Sequence, residues 1–236
     1  ALRDRRAAAV ALQPRAADWE AVSAVVNDGP TPGVDLDWFH PERIAERRAP
    51  FKTHLDDTSG ELVVLFVGGE FRRKGLDRLI PAIGQGMRLI VVGRGEKPEH
   101  YRRLAAGCGV ERRIEFIGHV DDDIRKYYAR ADVVALPSLR EAFGMSILEG
   151  MACGLPVVAS PDAGVAGLIE EGKNGFLAGE VGELHSAFLR LQNAALRKEM
   201  GKRARLAAEA YSWDRATAGY EKVFVNLLDS RSKRHG

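Results

Sequence analysis

In the stretch SLREAFGMSILEGMACGLPVVAS, residues 138–160, Glu141 and Glu149 stand eight positions apart with Phe143, Gly144 and Met145 between them. Pro137 and Ser138 close a β-rich run, and the residues after them predict a helix beginning near Gly144 and stopping at Gly154, with Pro156 as a stop signal. A helix that starts at the carboxyl edge of a parallel sheet offers unpaired backbone N–H groups and a partial positive charge, which suit a phosphate. Gly144 lets a ligand approach the backbone closely. Glu149 falls five residues past Gly144, roughly 7–8 Å further along the axis. Two carboxylates flanking an anion cannot both bind it. They are suited to accept hydrogen bonds from hydroxyls on either side, a sugar on one and a ribose on the other. The spacing therefore fits a sugar–diphosphate–nucleoside. On spacing alone, a plainer reading of Glu149 as a solvated helix residue and Glu141 as a loop charge stays open.

A diphosphate also needs cations. Arg73, Lys74 and Gly75 follow the first strand and open the next helix, so their charges stand at the same sheet edge. Arginine offers a bidentate fork and lysine a mobile point charge. A basic pair at a helix start is also an ordinary surface feature, and its place after a buried strand is what favours a ligand. The GRG of residues 93–95 lacks the G-x-G-x-x-G spacing, because its sixth position is Pro98, and reads as a strand-to-helix turn. His119, after FIG, lines a base or sugar pocket or caps a loop, with nothing to choose between them. Trp213 reads as packing. No Ser-His-Asp or H-E-x-x-H arrangement is present, and no metal site is expected.

The elements that must position these residues alternate between short β-rich runs and longer amphipathic ones from about Glu61, the pattern of a Rossmann-like parallel sheet flanked by helices. Strands are expected in ELVVLFVGG, MRLIVVGRG, RIEFIGHV, ADVVALPS, PVVAS and NGFLAG. Helices are expected over residues 74–83, 100–106 and 122–131, near Val165, and throughout from Val181. The last segment carries Tyr220, Val223, Phe224 and Leu227 on one apolar face that must pack on something, with Ser212 as N-cap. Residues 1–31 hold one candidate helix at 18–26, residues 32–60 read as a turn-rich linker, and residues 61–236 form the sheet domain with its terminal helix.

Composition narrows the class. The chain has 236 residues, 45% hydrophobic and 29% charged, with 35 Lys and Arg against 33 Asp and Glu. That balance excludes an overtly basic nucleic-acid binder. Basic residues cluster locally, at 72–74, 47–48 and 231–234, and peripheral membrane contact through them is conceivable but scattered. Cys108 and Cys153 form no disulfide framework, and no apolar run has the length of a membrane span or leader. A cytoplasmic, reducing compartment is expected.

With these residues in view, the segments LFVGGEFRRKGLDRLI, RLIVVGRGEKPEHYRRLA, IEFIGHVDDDIRKYYARADVVALPSLREAFGMSILEGMACGLPVVAS, LIEEGKNGFLA and YSWDRATAGYEKVF together resemble the donor-binding, C-terminal half of a retaining glycosyltransferase with the GT-B fold. The group is the glycogen-synthase-like and mannosyltransferase-like one, of the glycosyltransferase family 4 type. The resemblance implies sugar transfer from a UDP-, GDP- or ADP-sugar with retention of configuration, without a cofactor or required metal. It implies that Arg73 and Lys74 hold the diphosphate, that Glu141 contacts donor-sugar hydroxyls as a positioning group rather than a base, and that Glu149 binds the ribose. The backbone of Phe143, Gly144 and Met145 faces sugar and phosphate, Gly68 and Gly69 line the donor site, and Gly118, His119 and Val120 lie near the base. The family often has arginine where this chain has Gly69, and its Pro-Asn-Gly-Val-Asp linker appears as residues 32–35, PGVD. Residues 1–31 are too few for an acceptor domain, so transfer is expected only with such a domain in cis or in trans. A non-catalytic nucleotide-sugar-binding or regulatory module, or another GT-B chemistry such as epimerisation or phosphorolysis, is the competing expectation.

Overall fold

The computed structural model describes residues 32–45, 60–121 and 123–232. The helix expected at 18–26 and the basic pair at 47–48 lie outside them. Six short, mainly apolar runs form strands: β1 (Leu62–Val67), β2 (Met87–Val92), β3 (Ile114–Gly118), β4 (Val133–Leu136), β5 (Val157–Ala159) and β6 (Gly175–Leu177). All pair in parallel in the order β3-β2-β1-β4-β5-β6. β4 and β5 are buried at every position, which explains why they read as unbroken apolar runs, whereas edge strand β3 is only half-buried along its length.

The helices are α1 (Pro41–Ala45), α2 (Leu76–Ala82), α3 (Pro98–Gly107), α4 (Arg125–Arg130), α5 (Met145–Ala152), α6 (Val181–Leu191), α7 (Ala194–Ala208) and α8 (Trp213–Ser232). The chain steps from β1 out to β3, then returns to β4 beside β1 and continues the other way. Right-handed crossovers therefore set α2 and α3 on one face and α4 and α5 on the other. The contacts agree: α2 packs on α3 and α6, and α5 packs on α7. The reversal between β1 and β4 opens a crevice at their carboxyl ends, where ligands of such sheets bind.

The helix expected over 74–83 starts only at Leu76. Glu70 and Gly75 take left-handed backbone, which breaks residues 70–75 into turns. The helix expected over 122–131 is likewise shorter. Near Val165 a 3-10 turn, Gly164–Leu168, replaces a full helix.

The segment read as a linker is docked on the sheet domain. Asp35 Oδ1 accepts from the amides of Asp37 and Trp38 at 3.1 and 2.7 Å, closing a local turn. Val34, Phe39 and Ile44 are buried. Arg125, paired with both Asp123 oxygens, stacks 3.4 Å from the centre of the Trp38 ring. Turn-forming composition does not reveal such docking.

Residues Val34–Ser212 form one compact unit, and α8 belongs to the other. Ser212 has extended backbone immediately before α8. On the apolar face expected to be covered, Phe224 is 62% exposed and Tyr220 is exposed as well, while Val223 is half-buried. Leu227 lies outside the described side chains. Among the described residues no helix is long and apolar enough to cross a membrane.

Two glycines make opposite demands. A Cβ at Gly75 (φ +80°) would lie 1.9 Å from the Pro137 carbonyl oxygen, whereas one at Gly107 would meet nothing within 4 Å. Gly75→Ala is expected to cost about 3 kcal/mol or more through clash and backbone strain. Gly107→Ala should gain about 0.5–1 kcal/mol by restricting the unfolded chain. Urea denaturation of both variants checks this.

Candidate functional site

Two loops build the centre of the site, one after β1 and one after β4. They are locked together by the Leu139 amide donating to the Arg73 carbonyl at 2.8 Å and by the close fit of Gly75 under Pro137. Gly68 leaves a gap for a side chain, since a Cβ there would sit 2.4 Å from Lys74 Cδ. Through that gap Lys74 reaches Glu141, with Nζ 2.9 Å from Oε2. Both side chains are largely shielded, at 17% and 11% exposure. The buried Ser138 hydroxyl donates to the same carboxylate oxygen at 3.4 Å. Arg73 stands beside the pair, Nη1 3.9 Å from Glu141 Oε2, and is aimed by Glu70 and by the Arg140 carbonyl.

Beside this cluster α5 begins. Its cap is Gly144 in left-handed backbone (φ +105°), with no side chain capping the first turn. The Glu141 and Phe143 carbonyls are taken up by the Gly164 and Val165 amides at 3.2 and 2.7 Å, so the loop is fixed from behind. The Ile147 and Leu148 amides donate to the Gly144 carbonyl at 3.0 and 3.3 Å, which leaves those of Met145 and Ser146 at the open end, and the Ser146 hydroxyl is buried without a partner. An anion is the natural complement of this end.

Glu149, one turn further, is partly buried, and its Oε2 accepts from the Tyr128 hydroxyl at 2.5 Å. Burial pushes the Glu149 carboxyl above the ordinary carboxylate value. The Tyr128 hydrogen bond and the Lys74 charge pull it part of the way back. Burial, with the nearby Glu149 charge, pushes the Tyr128 hydroxyl well up.

The structure thus brings Gly68, Arg73, Lys74, Glu141, Phe143, Gly144, Met145 and Glu149 to the β1–β4 crevice. Gly69 lies at its rim against the Arg94 carbonyl. Gly118, His119 and Val120 do not join the cluster. They follow β3, three strand steps from β4, roughly 14 Å at the usual spacing. The Gly118 carbonyl accepts from the Gly93 amide at 2.8 Å, and the Gly68 amide donates to the Val92 carbonyl at 2.9 Å. His119 is exposed and faces Asp121 at 3.0 Å. Sequence reasoning missed Ser138, Glu70 and Tyr128. Ser138 and Glu70 are close enough in the chain to Glu141 and Arg73 for a local search to find them, whereas Tyr128 carries no local signal. Adjoining the crevice, and sharing Arg73 with it, an open cleft of about 620 Å³ is lined by Glu70, Arg72, Arg73, Glu96, Leu139 and Arg140. Among the described residues no group of three or more His, Cys, Asp or Glu could hold a metal ion.

A parallel sheet with its crevice at the β1–β4 reversal, helices on both faces and this cluster at its rim define a Rossmann-like domain of the GT-B type, the donor-binding half. Residues 49–213 match the glycosyl transferases group 1 family model, and the chain belongs to that family. It is 32% identical over 222 residues to a D-inositol 3-phosphate glycosyltransferase of Mycobacterium bovis, covering 87% of this chain and 45% of the relative. The chain thus spans about half the length of such relatives. Among solved structures it is similar to sucrose-phosphate synthase from Thermosynechococcus elongatus (27% identity, TM-score 0.74, covering 89% of this chain and 57% of that one). It is also similar to Anabaena Alr3699/HepE in complex with UDP and glucose (25% identity, TM-score 0.70, 84% and 56%).

Because the folded-state pKa of Glu149 is raised above its unfolded value, this group favours folding most at low pH, and that contribution is lost as pH rises through the folded pKa. At neutral pH the charged form is therefore carried at a cost. Glu149→Gln is expected to raise the Tm at pH 7.5 by about 2–4 °C, the scale of ~1 kcal/mol for a domain of this size. The gain should fade as the pH falls toward 4.5, as thermal melts across that range would show.

Proposed function

We propose that this chain binds a nucleotide-diphosphate sugar and serves as the donor-binding part of a retaining glycosyltransferase. The observation that carries the reading is the convergence of Lys74, Arg73 and Glu141 beside the open amino end of α5. Lys74, Arg73 and the Met145 and Ser146 amides at the start of α5 take the diphosphate and offset the charge that develops on the leaving group as the sugar departs. Glu141, released from Lys74 by the incoming phosphate, accepts hydrogen bonds from the donor sugar. Glu149 accepts from the ribose, and the base extends across the sheet edge toward Gly118, His119 and Val120. Gly69 supplies no cation, and Arg73 fills that need from its own loop. UDP is the first candidate donor nucleotide, because the similar Anabaena protein was solved with UDP and glucose. Transfer requires an acceptor-binding half in addition, as the greater length of the relatives suggests.

Calorimetric titration with UDP, GDP and ADP and with their glucose and mannose conjugates tests the reading. One nucleotide family should bind selectively, and Lys74→Ala should weaken it about tenfold or more, the loss of a charge-assisted contact. Glu141→Gln should weaken the sugar conjugate while leaving the bare nucleotide unchanged or tighter, since it frees Lys74. Equal affinity of all variants for every nucleotide would sink the proposal.

A further inference from the structure

The Glu149 carboxylate is not free to choose its orientation. Tyr128, fully buried on α4, lies 21 residues away in the chain, and its hydroxyl reaches Glu149 Oε2 at 2.5 Å, with the Ser146 carbonyl a second, longer acceptor at 3.4 Å. A buried phenol needs a partner, and here the partner is the group the proposed function sets against the ribose. The Tyr128 ring is held in turn by Phe39, edge to face, at 5.6 Å and 77°. Phe39 lies in the docked 34–45 segment, whose carbonyls at Leu36 and Phe39 accept from Arg205, which also bonds the Ala152 carbonyl at the end of α5. The segment thus holds the Tyr128 ring on α4, and Tyr128 in turn holds the Glu149 carboxylate on α5.

We propose that Tyr128 is a positioning residue of the donor site, fixing the Glu149 carboxylate for the ligand, and that Phe39 in the 34–45 segment fixes Tyr128. The inference rests on the reading of Glu149 as a ligand group. A glutamate on a helix flank samples several rotamers and gives up that freedom when a ligand arrives. One already bonded through Oε2 has given it up, and Oε1 is left to accept from a hydroxyl. The phenol also favours the ionised carboxylate against burial, so the acceptor keeps its charge to lower pH. The other groups facing it act in known directions. Lys74 favours the charge, while the buried Cys153 thiol, which the Glu149 charge and burial hold neutral, neither adds nor removes one. Arg125 and Arg205 lie near Cys153 and add positive potential.

The test uses the full chain and Tyr128→Phe, which removes one oxygen atom. Carboxyl carbon NMR reads the Glu149 titration directly and without ligand. In Tyr128→Phe its midpoint should move to higher pH. UDP affinity by calorimetry at pH 7.5 should fall about tenfold, the worth of a hydrogen bond to a charged group, and its acid-side loss should begin at higher pH. In Glu149→Gln, which cannot ionise, adding Tyr128→Phe should leave the pH profile unmoved. Phe39→Leu should weaken UDP binding in the wild-type background and add nothing in Tyr128→Phe; additive losses would overturn the role given to Phe39. An unshifted Glu149 titration together with unchanged UDP affinity overturns the proposal for Tyr128. If Glu149→Gln itself leaves UDP binding intact, the reading of Glu149 as a ligand group fails instead, and the NMR midpoint still decides whether Tyr128 governs the carboxylate.

Discussion

The contact between Lys74 and Glu141 is the constraint around which the rest of the edge is arranged. Two opposite charges are drawn out of water at a place where a sheet reverses direction, and each is only slightly exposed. Shielded ion pairs contribute little net stability, because desolvation offsets most of their attraction. Their use is to specify geometry. Here the geometry demands that Gly68 carry no side chain, that Gly75 turn left-handed beneath Pro137, and that the loops after β1 and β4 share a backbone hydrogen bond. A ligand that separates the pair must satisfy both charges at once. A phosphate meeting the lysine and a hydroxyl meeting the glutamate does so within one molecule.

The same logic holds at Glu149, in a different balance. Glu141 is compensated by a cation, whereas Glu149 is compensated chiefly by a neutral phenol and only at a distance by Lys74. An anion that competed for Lys74 would therefore free Glu141, whereas Tyr128 orients Glu149 with no ligand present. Strained or desolvated groups of this kind are where a fold gives up stability for function.

The sheet was readable because β1, β4 and β5 are unbroken apolar runs and the remaining strands are short, mostly apolar runs set off by glycine. The helix bearing Glu149 was readable because Gly144 and Gly154 bracket it. What escaped the sequence was distant in it. Tyr128 and Glu149 belong to different crossovers, and no spacing rule joins them. The docking of residues 34–39 depends on Arg125 and Phe39 finding partners about ninety residues away, so turn residues that usually mark a solvated connection marked a packed one. The helix expected from Lys74 failed for a local reason: Glu70 and Gly75 needed left-handed backbone to bring residues 73 and 74 to the crevice. That departure from helix propensity is itself a mark of the site.

The position of the third loop is set by the sheet order. Residues 118–120 leave an edge strand three steps from β4, too far for their side chains to share a ligand atom with Glu141. They can share a ligand only if it is extended, with one end at the crevice and the other across β1 and β2. Backbone bonds from Gly68 to Val92 and from Gly93 to Gly118 level these loop starts into a continuous rim with few side chains to obstruct it. A compact anion such as free phosphate would use only the crevice end of such a rim. A molecule with a charged middle, a hydroxylated end and a flat end would use its whole length, and that is a physical reason to read the edge as built for a nucleotide sugar.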